Sequence, residues 1–168
     1  MTEKQFWMKL DQITHRKDAD QAMKMAGEVI LQAYDEGLDF LVACVRNAED
    51  PGLVQQLCLL KDPDHPNRKG GRFLICYTDK RALARARPSD WDKISVRGVV
   101  DNMLSNPAIG GLIFNPNDKT SFMCPKYLCI RDQEARMKAM LQLTAEFLRS
   151  AEAKGLVDSI RKKLSEDE

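Results

Sequence analysis

The chain has little of what dedicated chemistry or membrane insertion needs: two histidines, 7% aromatic residues, a net charge of +1 and no long apolar run in 168 residues. Balanced charge argues against a purely electrostatic role. Sparse aromatics, falling mostly in apolar stretches, deny a single-strand nucleic-acid binder its stacking platform. The longest apolar run, FLVACV at 40–45, is far below the roughly 18 residues of a membrane helix. MTEKQFWMKL carries no apolar core or small-residue cleavage site of a secretory leader. Five cysteines, an odd number scattered among apolar residues, fit reduced thiols in a cytoplasmic protein better than a disulfide framework. No membrane attachment is expected.

Sequence motifs with a chemical signature are equally scarce. Cys124 and Cys129 are separated by four residues, with no neighbouring His and no second pair, so they make no zinc signature. Neither Gly70-Gly71 nor Gly110-Gly111 continues into a helix with phosphate-loop spacing. A catalytic thiol needs a base or a positive field, and neither His15 nor His65 lies near a cysteine in sequence. His65 stands beside Asp62 and Asp64 in DPDHPN; these residue types build a solvated turn, with a divalent-ion site as the alternative. No catalytic residue, metal ligand set or cofactor is expected.

What is present is an orderly alternation of helix and strand signals. Phe6, Leu10 and Ile13 recur at helical spacing behind a Thr2 cap. Asp18 or Asp20 can open a second helix with Met23, Ala26, Val29, Ile30 and Ala33 on one stripe and Gly37 as its left-handed stop. FLVACV reads as a doubly buried strand, and NAEDPG is too short for a crossover, so residues 53–60 should return antiparallel. Residues 72–77 form the next strand, Thr78 caps a helix beginning at Asp79, and Pro88 ends it. Ser95 opens another, with Val96, Val99, Val100, Met103 and Leu104 on its apolar stripe, which Asn106 and Pro107 stop.

That long connection predicts a right-handed crossover setting residues 112–114 parallel to 72–77; NPND at 115–118 then turns into a strand at 120–124. After Asp132 a helix carries Met137, Met140, Leu141, Thr144, Phe147, Leu148 and Ala151, and Gly155 separates it from a segment bearing Leu156, Ile160 and Leu164. The carboxyl-terminal stripe suits packing within the monomer or a homodimer.

The expected fold is α+β, a single domain with a mixed sheet of about five strands. Its crossover helices should cover one face and its terminal helices the other. Residues 1–38 form a helical extension, 39–129 the core and 130–168 the carboxyl-terminal helices.

RFLICYTDKRAL and GGLIFNP, in this order and with these elements between them, resemble the amino-terminal domain of the SseB family, named for enhanced serine sensitivity. Tyr77, Thr78 and Asp79 occupy the family's aromatic-Thr-Ser helix start, with Asp in place of Ser, and Asn115-Pro116 matches its Asn-Pro turn. The likeness spans about residues 40–128. It implies a bacterial α+β module without an assigned catalytic residue.

Two surfaces remain as candidates. If 72–77 and 112–114 are parallel, their carboxyl ends gather Thr78, Asp79, Asn115, Asn117 and Asp118 at one sheet edge, where open α/β sheets commonly place ligands. Cap and turn roles account for the same residues. From Lys61 to Arg97, ten Lys or Arg face five Asp, and Lys80, Arg81, Arg85 and Arg87 could meet an anionic partner if they share an exposed region. The sequence favours a non-catalytic module binding an unidentified protein. The alternatives are a small-ligand or metal-dependent enzyme at the sheet edge and nucleic-acid binding through residues 80–97.

Overall fold

The computed structural model describes residues 1–149 apart from 62 and 67, together with residues 155, 158, 159 and 162. It forms two compact units, Met1–Ile130 and Arg131–Glu168. The first unit begins with α1 (Glu3–Thr14), closed by a capping box between Thr2 and Gln5, and α2 (Ala19–Glu36), which runs from its Asp18 cap to Gly37 at φ 67°. Both ends match the residues read from sequence, because caps are local chemistry.

The protein is α+β, with a mixed sheet of seven strands. β1 (Asp39–Arg46), β2 (Val54–Gln56), β3 (Cys58–Leu60) and β4 (Arg72–Tyr77) precede α3 (Lys80–Ala86). β5 (Trp91–Ser95), α4 (Val96–Ser105), β6 (Ile109–Phe114) and β7 (Phe122–Pro125) follow, and a 3-10 turn, Lys126–Cys129, ends the run. β4 and β6 are parallel and β6 and β7 antiparallel, as the crossover length and the NPND turn require.

The expected single return strand at 53–60 is instead split. β2 pairs with β1 and β3 with β4, both antiparallel, and the exchange occurs at Leu57. Its N–H donates to the Ala43 carbonyl at 2.8 Å while its own carbonyl accepts from the Ile75 N–H at 3.0 Å. β1 and β4 touch directly only at Leu41–Tyr77 and Val42–Cys76. Gln56 fills the fork by donating its side-chain amide to the Ile75 carbonyl at 3.0 Å. No local pattern announces this exchange, since it depends on the separation of two strands distant in sequence.

The helices also depart from expectation. α1, α2 and α4 share one cluster with Phe40, Val42, Cys76, Leu112 and Phe114, whereas α3 packs through Ala82 and Leu83 on Leu41, Ala43 and Tyr77. Alternate β1 residues point to opposite faces, so the two crossover helices lie on opposite sides of the sheet, α4 beside the amino-terminal pair. Phe6, Phe40, Phe114 and Phe122 form a chain of rings with successive centroids 5.5, 5.9 and 6.3 Å apart. The segment 1–38 is therefore part of the core.

β5 was not expected, because WDKIS shows no alternation of apolar residues. It pairs antiparallel with β1 over Asp39–Ser95 through Ala43–Trp91 and has no other strand beside it among the described residues. The Cys44 backbone N–H donates to the Asp90 carbonyl at 3.2 Å, so the backbone groups of Trp91 and Lys93 face outward by alternation. They do not stand open. Asp90 accepts the Trp91 N–H at 2.8 Å, Asp92 accepts the Lys93 N–H at 2.7 Å, and Arg46 holds both carboxylates at 2.8 and 2.9 Å while donating to the Trp91 carbonyl. The protein's own charges block its edge.

The second unit contains α5 (Gln133–Leu148), opened by Asp132, which accepts the Ala135 N–H at 2.7 Å. Gly155, expected to interrupt the terminal segment, is itself helical; Ala151, Leu156, Ile160 and Leu164 lie outside the described residues. No described helix is long and apolar enough to cross a membrane.

Two outcomes are expected. A Cβ at Gly111 would run into the Cys124 carbonyl of the adjoining strand, so Gly111→Ala should lower stability by about 1–3 kcal/mol in urea unfolding. Asp90→Ala/Asp92→Ala should speed hydrogen exchange at the Trp91 and Lys93 amides and cause concentration-dependent association beyond the wild-type mass, read by sedimentation.

Candidate functional site

β4 and β6 end side by side, and the next residues form a polar cluster at their carboxyl ends. Asn115 is in the left-handed region, at φ 50°, a conformation Asn tolerates better than most residues. Its N–H donates to the Cys76 carbonyl at 3.0 Å. Its side-chain oxygen accepts the Thr78 N–H at 3.1 Å, and its side-chain amide donates to the hydroxyls of Thr78 and Thr120 at 2.9 and 3.1 Å. Asn115 and Thr78 are each only 1% exposed, so neither can meet a partner.

Thr78 does not cap α3. Asp79 does, accepting the Ala82 N–H at 2.7 Å. Asn117 is exposed at φ 63° in the turn. Asp118 accepts both the N–H and the hydroxyl of Thr120, at 3.0 and 2.9 Å, and its second oxygen accepts from Arg85 at 2.7 Å. The Thr120 N–H, then Arg85, then the Thr120 hydroxyl hold the Asp118 carboxyl down at about 2.

The structure thus gathers Thr78, Asn115, Asp118 and Arg85, adds Thr120, and uses them to fasten strand ends, turn and helix. Every buried side-chain N or O among the described residues has a partner. The cluster has the character of a structural lock.

The basic residues divide. Arg85 is tied to Asp118. Arg81 is exposed, and Lys80 and Arg87 stand at the two ends of α3 with no ion pair among the described residues. Between them lies a cleft of about 360 Å³ lined by Lys80, Leu83, Ala84, Arg87, Pro88 and Trp91. Trp91 is 42% exposed, a large apolar surface left in water.

Strand alternation puts Trp91 on the α3 side of β5, while Asp90 and Asp92 turn to the other face with Arg46. Sequence reasoning did not associate Trp91 with the basic residues. The signal was its position three residues after the helix-ending Pro88, legible only once β5 is known to double back against β1.

Cys44, Cys76, Cys124 and Cys129 are buried and Cys58 is half-buried. Burial pushes the Cys44 and Cys76 thiols up; for Cys124 the neighbouring Cys129 thiol does most of the raising and burial adds to it. Such thiols are poor nucleophiles at neutral pH. His15 is 3.8 Å from Asp11 on α1, and Asp62, the companion of His65 in DPDHPN, lies outside the described residues. No cluster of three His, Cys, Asp or Glu able to hold a metal occurs among the described residues. Comparison with protein families, with curated proteins and with solved structures gave no match.

Asn115→Ala strands the buried Thr78 N–H and should cost about 2 kcal/mol or more, measured by urea unfolding. Asp118 carries an acid-dependent contribution. Its folded pKa of about 2 lies below the ordinary 3.8, so the stability it adds is present above pH 4 and fades as pH falls toward 2. Asp118→Asn should flatten that part of the profile, followed by thermal unfolding across the same range.

Proposed function

We propose that this protein is a non-catalytic protein-interaction module of the SseB type whose docking surface is the cleft between α3 and β5. The carrying observation is the combination of an exposed Trp91 with two cations, Lys80 and Arg87, that have no ion pair among the described residues, around an apolar floor. Exposed aromatic and Arg side chains around a concavity are the composition of binding hot spots. The sheet-edge cluster is tied to the helix that carries this surface, because Asp118 holds Arg85 on α3. The cation pair favours a partner with an acidic surface.

Nucleic-acid binding is the second reading, favoured by one ring beside two cations, but it calls for a continuous basic track along a strand. A photo-activated cross-linker at the exposed Ala84, used in cells producing the full chain, decides between them. One protein recovered in stoichiometric yield, and lost in Trp91→Ala and in Lys80→Glu/Arg87→Glu, is the expected result. Nuclease-sensitive adducts, or none, would overturn the proposal.

A further inference from the structure

The arrangement of charge around the cleft specifies its occupant more narrowly. We infer that it accepts an acidic amphipathic peptide segment in which one bulky apolar side chain is bracketed by two carboxylates; this rests on the reading of the cleft as a protein-docking surface. Lys80 opens α3 and Arg87 is its left-handed cap. At about 1.5 Å rise per residue, their backbones are about 10 Å apart along the helix.

Leu83 and Ala84 lie one turn on from Lys80, on the same side of the helix, and Pro88 and Trp91 complete the lining. The order along the cleft is cation, apolar floor, cation. Of the other charges nearby, Arg85 is tied to Asp118, Asp90 and Asp92 to Arg46, and Asp79 to the α3 amide of Ala82, while the exposed Arg81 is not part of the cleft lining.

The complement is anion, apolar group, anion, with about 10 Å between the anions. A helical peptide supplies it with acidic residues seven apart and an apolar one midway, because seven residues rise about 10.5 Å. An extended peptide does not, because residues three apart, at about 3.3 Å per residue, fall on opposite faces of a strand. A nucleotide fits poorly, since its phosphates lie together on one side of the base and would leave one cation unanswered. Rim charges tune encounter and register, while the desolvated anchor supplies most of the affinity. The apolar group should therefore sit over Leu83 beside Trp91.

The test uses the full chain and a fluorescent synthetic peptide of about twelve residues with Leu midway between two Glu set seven apart. Its comparators are an isomer with both Glu at one end, a Leu→Ser version and a single-stranded oligonucleotide. Anisotropy should show the bracketed peptide binding at least tenfold tighter than either peptide comparator. The Trp91 indole resonance should shift on binding, and Lys80→Glu/Arg87→Glu should reduce affinity at least tenfold while thermal unfolding stays unchanged. Raised salt should weaken binding.

Equal binding of the clustered isomer, tighter binding of the oligonucleotide, or an unmoved indole resonance would overturn the inference. If the Ala84 cross-linker captures a partner protein while the bracketed peptide fails, the peptide chemistry is wrong and the docking surface stands. If the cross-linker captures only a second copy of the chain, the acidic-peptide occupant is replaced by self-association. If it captures nothing and the peptide fails, both readings fall.

Discussion

One side-chain amide holds the end of the sheet together. Asn115 ends β6 in a left-handed conformation and spends both its oxygen and its nitrogen on neighbours, joining Thr78 beyond β4 to Thr120 beyond the turn. β4 runs on into α3 and β6 into the turn before β7, and the residues where they part, Thr78 and Asn115, are buried. A buried N–H without a partner costs about 1–3 kcal/mol. The Arg85–Asp118 pair is exposed on its Arg side and screened by water, so its importance is positional: it ties α3 to the lock. Residues with the look of a ligand site thus determine where the neighbouring cleft stands.

The rest of the first unit follows from covering a sheet on both faces. β6 is buried along its whole length, and β1 is buried from Phe40 to Cys44. Alternation sends Phe40 and Val42 one way and Leu41 and Ala43 the other, and each set has helical cover. The larger cover includes α1, whose Phe6 is fully buried against Phe40. The smaller cover, α3, leaves the apolar surface of Trp91 beside it in contact with water. The cleft lies where one short helix of seven residues is too small to finish its face.

Caps, stops and the parallel pairing were legible because each is settled within a few residues or by the length of one connection. Thr2, Asp18, Gly37 and Ser95 act where their residue types place them, and the α4 stripe declares its buried face. β5 was not legible, since Ile94 alone of its residues packs against the core and its strand character comes from register with β1. Thr78 and Asp79 could each have capped α3; the Asn115 amide decided, by taking the Thr78 backbone and hydroxyl. The candidate edge residues were brought together as topology required, but their burial could not be read from turn-forming composition. The cleft escaped notice because its ring and its cations belong to different elements.

The fork at Leu57 bears on how the sheet comes apart. A strand paired along one neighbour can peel away with it as a hairpin. Residues 54–60 divide their bonds, the first half with β1 and the second with β4, and a single residue bridges both. Neither neighbour can leave without breaking the strand that serves the other. The wedge thereby welds the amino-terminal half of the sheet, with its edge strand β5, to the parallel pair β4 and β6, and makes partial unzipping at this junction a loss shared by both halves.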